Sequence, residues 1–267
     1  MIFMKYSIIT INYNNAIGLE KTIRSVISQT FSDYEFIIID GGSTDGSTEV
    51  IRRYSSKITY WLSEPDNGIY NAMNKGIKNA HGDYLNFMNS GDVFFLSDVL
   101  ERINKLDLNS DIIIGCHAEN GIRNIGKNGI TMISLYRWAV DHQASFIKKE
   151  LMVKHFYDEK FKIASDWKFF IEALVLDNCS FTYIDTIVVD VDMNGLSNTN
   201  WDLDRKERDI VLNELLPRRI LDDYKILSMI NPDLVDISVK LSQSEHLMRF
   251  IIWLSNMLLQ IKKIIKR

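Results

Sequence analysis

The sequence predicts an α/β protein built on an open, mostly parallel sheet with helices on both faces, and three observations carry that prediction. Apolar runs at Ser7 to Ile11, Phe36 to Ile39 and Asp83 to Met88 each give way to polar residues, namely Asn12-Tyr13-Asn14-Asn15, Asp40-Gly41-Gly42-Ser43 and Asn89-Ser90-Gly91-Asp92. Helix-like patterning separates the runs. Parallel strands require such crossovers, and the loops after their carboxyl ends gather along one sheet edge, where ligands bind.

Taken in order, the first run is a strand, and Ile17, Ile23, Val26 and Ile27 make an apolar stripe for a helix within residues 16 to 30. The second strand ends at Asp40, and Ser47 or Thr48 is placed to cap a helix over Val50 to Tyr54. A short strand, Ile58 to Leu62, precedes an Asn67-Gly68 turn and a proline-free helix from Ile69 to Ile77. Beyond residue 92 the pattern predicts a helix at Asp98 to Leu106 and a strand at Asp111 to Gly115. It then gives a loop or hairpin at Gly121 to Gly129, a helix at Ser165 to Leu176, a strand at Phe181 to Val191 and a turn at Asn194 to Asn198. The expected catalytic domain is 1–200, with halves of about 1–95 and 96–200, and residues 201–267 form a helical C-terminal extension. Within the extension, helices are expected at Asp202 to Leu216 and Leu221 to Ile230. Leu247, Ile251, Leu254, Leu258, Ile261 and Ile265 then make an apolar seam along one helix.

At 267 residues and 46% apolar content the chain can bury a large core, and its net charge of −4 argues against general nucleic-acid binding. The charge is unevenly spread, because residues 246–267 carry Arg249, Lys262, Lys263, Lys266 and Arg267 and no acid. That segment suits packing on the body, dimerisation or lying on an anionic membrane surface. Cys116 and Cys179 have neither zinc-site nor disulfide-framework spacing, so a reduced, cytoplasmic setting is expected. The first residues leave no room for a secretion signal, and the longest uncharged apolar stretch, Phe250 to Ile261, is shorter than the roughly 20 residues a spanning helix needs.

The loop Asp40-Gly41-Gly42-Ser43-Thr44-Asp45-Gly46-Ser47 is neither a dinucleotide fingerprint nor a P-loop. A strand-end carboxylate such as Asp40 suits donors on a nucleoside and repels a bare phosphate, or else it simply caps the turn. Asp92 is either one hard-oxygen ligand for Mg²⁺ or Mn²⁺, completed by substrate phosphates and water, or a turn cap.

Together these motifs resemble a family 2 glycosyltransferase of the GT-A fold, of the bacterial surface-polysaccharide type. The resemblance rests on strand-Asn12-Tyr13-Asn14-Asn15, strand-Asp40 to Ser47, Asn74-Lys75-Gly76-Ile77 with Ala80 and Gly82-Asp83-Tyr84, and Phe87 to Asp92. It covers residues 4 to about 95 closely and extends more loosely to about 200. It implies an inverting transferase that takes a sugar from a nucleotide-diphosphate donor, UDP-linked, to a hydroxyl of a glycan or lipid-linked acceptor.

By the same resemblance Asn12, Tyr13 and Asp40 hold the nucleoside, Asp66 in Ser63-Glu64-Pro65-Asp66-Asn67-Gly68 contacts the nucleotide sugar, and Asp92 is the surviving metal-binding carboxylate. The chain has Asn89-Ser90-Gly91-Asp92 where, by the resemblance, many family members carry Asp-x-Asp or Ser-Asp-Asp, so the terminal ligand is kept and the earlier one is lost. Asp166, in Ala164-Ser165-Asp166-Trp167, is placed as general base, and His142 lines the site near the diphosphate or acceptor; alone, each would read as a structural residue. Trp138, Trp167 and Trp201 are candidates for stacking on a sugar ring or for the core. Mn²⁺ or Mg²⁺ is the expected cofactor, and residues 246–267 are the expected site of any peripheral contact with the inner face of the plasma membrane. Two rivals stay open: a catalytically silent nucleotide-sugar-binding protein, and a sugar nucleotidyltransferase, against which the absence of an early Gly-rich basic signature counts.

Overall fold

A computed structural model of the chain describes residues 5–119, 121–124, 130–193, 200–230 and 245–265. The expected turn at residues 194–198 lies outside them. The chain divides into two compact units, Met1–Leu216 and Pro217–Arg267.

The first unit opens with β1 (Tyr6–Asn12), α1 (Ala16–Ile27), β2 (Tyr34–Asp40), α2 (Ser47–Arg53), β3 (Tyr60–Ser63), α3 (Ile69–Asn79) and β4 (Tyr84–Phe87). There follow β5 (Val93–Phe94), α4 (Val99–Lys105), β6 (Ile112–Glu119), β7 (Ile122–Asn124), α5 (Met132–Arg137), β8 (Ser145–Lys148) and α6 (Lys149–Lys154). The unit closes with α7 (Ser165–Ile171), β9 (Phe181–Asp190) and α8 (Trp201–Leu215). Among the described residues the strands form one sheet in the order β3-β2-β1-β4-β8-β6-β9-β5, with β7 paired to β6.

Strands β3, β2, β1 and β4 are parallel, as expected, whereas β8 runs antiparallel to both β4 and β6, and β5 antiparallel to β9. Parallel pairing therefore dominates the first half of the sheet, and the second half is mixed. The hairpin of β6 and β7 answers the glycine-rich stretch after residue 119.

Every residue of β1 is buried, which is why the strand reads as a continuous apolar run: it is covered on both faces. Tyr6, Ile8, Phe36 and Ile38 pack with Leu19, Ile23 and Val26 of α1, Val50 and Ile51 of α2, and Val99, Leu100 and Ile103 of α4. The alternate residues face α3. A Cβ placed on Gly76 of that helix would lie 2.5 Å from Ile9 Cγ2, so only glycine lets α3 settle this close to β1. Two helices differ from expectation. Gly46, at φ +98°, occupies the N-cap of α2, and Ser47 Oγ donates to Asp45 instead of capping. Helix α7 ends early and passes into a π-helical turn, Glu172–Leu176.

Helix α8 belongs to the first unit, so that unit runs past the expected boundary at residue 200. The reason is a buried carboxylate: Glu207 on α8 accepts hydrogen bonds from the backbone N–H groups of Lys162, Ile163 and Ala164 at 2.8–3.1 Å. The second unit contains α9 (Arg218–Ser228) and α10 (Glu245–Ile265), the latter spanning the positions of the expected seam. Among the described residues no helix is long and apolar enough to cross a membrane. Cys116 and Cys179 are both outside any disulfide.

Candidate active site

Residues from three strand ends meet around Gly41. A Cβ there would lie 2.4 Å from Asp66 Oδ2 and 3.2 Å from the Tyr13 ring, so the β1, β2 and β3 loops converge at this point. Tyr13 is 68% exposed and forms an open aromatic face, while Asn12 beside it is buried. Asp66 Oδ1 accepts from Gly68 N at 3.0 Å, which folds the Pro65-Asp66-Asn67-Gly68 turn toward that face.

Asp40 sits beneath this crevice, fully buried. Oδ1 accepts from Asn12 Nδ2 at 2.7 Å and Ser43 Oγ at 2.6 Å, and Oδ2 from Ser43 N at 3.0 Å and Ser63 Oγ at 2.6 Å. Burial works against its charge, but the bonds from Ser43, Ser63 and Asn12 outweigh it and hold the carboxyl below its usual range. The protein itself fills the acceptor positions of this carboxylate, so Asp40 braces the strand ends. Asn12 Oδ1 is buried without a partner among the described residues.

The turn after β4 is locked to α1. Asn15 caps the helix by accepting from Gly18 N at 3.0 Å, and its Nδ2 donates to Ser90 O at 3.1 Å. Thr22 Oγ1 donates to Asp92 O at 2.7 Å and accepts from Gly91 N at 2.9 Å. Asp92, 3% exposed, is thereby fixed at the sheet edge, where its Oδ1 accepts from Asp192 N at 2.9 Å. Burial pushes its carboxyl up to about 6 against the opposing pull of that bond and of the His142 charge.

His142 and Asp166 are in direct contact. The ring Nδ1 is 3.0 Å from Asp166 Oδ2, and Tyr70 Oη, on the first turn of α3, lies 2.8 Å from Asp166 Oδ1 and within hydrogen-bond reach of Ile163 O, so its one proton is shared between these two acceptors. Trp167 N adds a bond to the same oxygen at 2.9 Å. Burial would raise Asp166, yet His142, Tyr70 and Trp167 N together hold it below its ordinary value; burial would likewise depress His142, yet Asp166 raises it. The two form an ion pair. Asn89 Nδ2 is modestly placed 3.3 Å from His142 Nε2, and Asn89 Oδ1 is buried without a partner among the described residues. With the amide turned over, Oδ1 accepts from the Nε2–H of the protonated ring. Asn89, His142, Asp166 and Tyr70 thus make one polar chain running from the Asp92 turn to α3.

This chain opens into a cleft of about 200 Å³ lined by His117, Asp141, His142, Asp166, Trp201 and Arg208 among others. Trp201 is 69% exposed on the cleft wall. Trp167 is 2% exposed and belongs to the core, its Nε1 donating to Leu135 O at 2.8 Å and its ring lying under Arg208 at 4.7 Å. It cannot stack on a ligand. Trp138 is exposed but does not line this cleft.

The sequence-predicted residues thus fall into two neighbouring groups, Asn12, Tyr13, Asp40 and Asp66 around Gly41, and Asp92, His142 and Asp166 at the cleft. Tyr70, Thr22, Glu207 and Asp192 were not anticipated. Only Asp192 carried a signal, since it is an acid just past an apolar strand, as Asp92 is. Among the described residues no group of three or more His, Cys, Asp or Glu is placed to hold a metal ion. Asp92 fits as a partial site, being a buried carboxylate of the hard-oxygen type that Mg²⁺ and Mn²⁺ take alongside substrate phosphates.

The model of glycosyl transferase family 2 matches residues 7–174, more than half of the chain and a span containing both groups. The chain belongs to that family. An uncharacterized glycosyltransferase of Mycobacterium tuberculosis is 33% identical over 202 residues, covering 72% of this chain and 76% of that protein. The fold of this transferase is similar to that of S. aureus TarS 1–349 in complex with UDP-GlcNAc, with a TM-score of 0.65 at 18% identity over 85% of this chain and 72% of the other. It spans 43% of the full TarS chain. The mannosyltransferase PcManGT from Pyrobaculum calidifontis, in complex with GDP-Man and Mn²⁺, gives a TM-score of 0.60 at 14% identity, over 76% and 61% of the two chains. At these identities the structural likeness concerns the fold alone, which is of the GT-A type.

Proposed function

We propose that this transferase moves a sugar from a nucleotide-diphosphate donor, UDP-linked, to a hydroxyl of a glycan or lipid-linked acceptor, with inversion at the anomeric carbon. The observation that carries the reading is the His142–Asp166 pair on the wall of a cleft next to buried Asp92. The donor complexes of TarS and PcManGT, on the same fold, support the donor class.

In this reading Tyr13 and Asn12 receive the nucleoside, Asp40 keeps their loop in shape, and Asp66 closes the crevice on the nucleotide-sugar side. Asp166 accepts the proton of the acceptor hydroxyl as it attacks, which makes the hydroxyl a strong nucleophile only while bond formation proceeds. His142 holds Asp166 ionised and oriented, and Tyr70 fixes its other oxygen. Asp92 would hold a divalent cation, Mn²⁺ or Mg²⁺, which when bound would neutralise charge on the departing diphosphate. The acceptor lies in the cleft under Trp201, whose exposed ring offers a face for a sugar.

Residues 1–200 would supply the chemistry, with α8 as a brace added to them. Residues 246–267 would dock peripherally on the inner face of the plasma membrane from the cytoplasm, where a lipid-linked acceptor resides. Phe250, Ile252 and Trp253 are exposed on α10, alongside the basic residues of the sequence.

The test is nucleoside diphosphate release from a panel of nucleotide sugars with Mn²⁺, with Mg²⁺ and with chelator, comparing the intact chain with Asp92→Ala. Metal-dependent release that the variant loses is the expected result. Binding of a donor with no release, in the presence of a glycan acceptor panel, would instead mark a silent nucleotide-sugar-binding protein, and pyrophosphate in place of nucleoside diphosphate a nucleotidyltransferase.

A further inference from the structure

Helix α8 carries Trp201, Asp204 and Arg208 at spacings of three and four, so they share one face, and all three line the cleft that also holds Asp166. That face is tied closely to Asp166. The Arg208 guanidinium lies 4.7 Å from the ring centre of Trp167, the residue after Asp166, and Glu207 beside it binds the backbone N–H groups of Lys162, Ile163 and Ala164. Side chains on this face are therefore held in a fixed relation to Asp166. Arg208 Nε donates to Asp204 Oδ1 at 2.9 Å, and among the described residues no bond engages its two Nη groups. Trp201, 69% exposed, adds a flat aromatic wall.

A similar pair comes from β6. His117 lines the same cleft, with Nδ1 2.6 Å from Asp141 Oδ2 and Nε2 3.4 Å from Glu119 Oε1, and the bond to Asp141 holds its imidazole above the usual range. Together with His142 and Asp166, these make a cleft in which every cation among the described lining residues already faces a carboxylate. A carboxylate, phosphate or amine on a ligand would have to break one of those pairs and leave a charge unmatched. Hydroxyl groups meet no such cost, because each can donate to a carboxylate and accept from a guanidinium or an imidazolium.

Resting on the transferase reading given above, we propose that this cleft is a subsite for an uncharged pyranose unit of the acceptor, stacked on Trp201 and held through its hydroxyls by Asp204, Arg208, His117 and Asp141. The C–H face of such a ring is apolar and suits the indole, while the planar Arg208 fork reaches two neighbouring oxygens at once. Acceptor selection then lies largely on α8, a helix outside the span that the family model matches.

Saturation-transfer NMR tests the subsite without any need for turnover. The probes are the methyl pyranosides of glucose, galactose, mannose and N-acetylglucosamine, and the methyl glycoside of glucuronic acid. Each is added to the UDP-saturated chain, to Trp201→Ala and to Arg208→Lys, after UDP affinity has been measured by calorimetry. Trp201 is exposed and lysine keeps the charge at position 208, so both variants should fold, which thermal melts verify. At least one neutral glycoside is expected to bind about tenfold or more tighter than the glucuronide. Trp201→Ala is expected to weaken it by about tenfold and Arg208→Lys by about fivefold, with UDP affinity unchanged in both. Undiminished binding in either variant, a glucuronide bound as tightly as the neutral glycosides, or no glycoside bound by a chain that binds UDP would overturn the subsite and leave the donor reading standing. A chain that does not bind UDP would remove the donor reading and the subsite with it.

Discussion

His142 Nδ1 and Asp166 Oδ2 lie 3.0 Å apart although 24 positions separate them in the chain, and each displaces the titration of the other. Asp166 is held low by His142 against a burial effect that on its own would raise it. Removing the imidazole leaves burial unopposed by its strongest partner. In His142→Ala the acidic limb of the kcat/KM profile is therefore expected to move to higher pH, because the base stays protonated further up the scale. An unmoved limb would disconnect the pair from proton transfer.

The same pair sets a pH window for stability. His142, raised above 6.5, contributes fully below that value and loses its contribution as pH rises through its folded pKa. Asp166, lowered below 3.8, contributes fully above that value and loses it as pH falls through its folded pKa. The difference in melting temperature between the intact chain and His142→Ala is expected to be largest between pH 3.8 and 6.5 and to shrink above it. Thermal melts across that range read it directly.

Asp166→Asn keeps the shape of the side chain and removes the proton acceptor. A loss in kcat of roughly 10²–10⁴-fold is expected, with nucleotide affinity unchanged, since general-base catalysis typically supplies a factor of that size. Steady-state kinetics and a separate UDP titration divide the two effects, and an equal loss in affinity would place Asp166 in donor binding.

Glu207→Ala leaves three backbone N–H groups of the loop before α7 without their carboxylate. Each buried donor left unpaired costs about 1–3 kcal/mol, so a destabilisation of about 3 kcal/mol or more is expected by urea unfolding. Because that loop leads directly into Asp166, kcat should fall with little change in donor affinity. A variant that is destabilised yet fully active would confine Glu207 to the fold.

Charge reversal at Lys262 and Lys263 tests the tail. Each basic residue near an anionic bilayer is worth about 1 kcal/mol, so the double change to Glu is expected to reduce co-sedimentation with phosphatidylserine vesicles by well over tenfold. Equal sedimentation of both forms, or none of either, would remove the membrane from the picture.

The parts of the fold that the sequence revealed are those whose cause is local. Strands β1 and β2 are covered on both faces, so their residues read as unbroken apolar runs, and α1 carries its stripe because one side faces the sheet. Strand β5 has two residues and β8 four, too few for a period to show. The antiparallel turn of the second half escaped notice because pairing direction leaves no mark on a single strand. The site divides the same way. Asp40 at the end of β2 and Asp92 in the turn after β4 are visible as acids that follow apolar runs, and Asp166 and His142 come through a family resemblance. The partners of Asp166 were not visible, because Tyr70 reaches it from 96 positions upstream. That Asp40 is consumed by Asn12, Ser43 and Ser63 likewise depends on packing across three strand ends.

The hydrogen bond from Asp192 to Asp92 has a consequence for the order in which the molecule is made. Residues 5 to 94 hold nearly everything that surrounds Gly41, and that portion leaves the ribosome first. The corner at Asp92 stays unfinished until β9 has been synthesised and has docked beside β5 and β6. A chain interrupted before residue 192 would present the crevice at Gly41 with its neighbouring corner open. During synthesis that crevice should therefore take shape well before the corner beside it is complete.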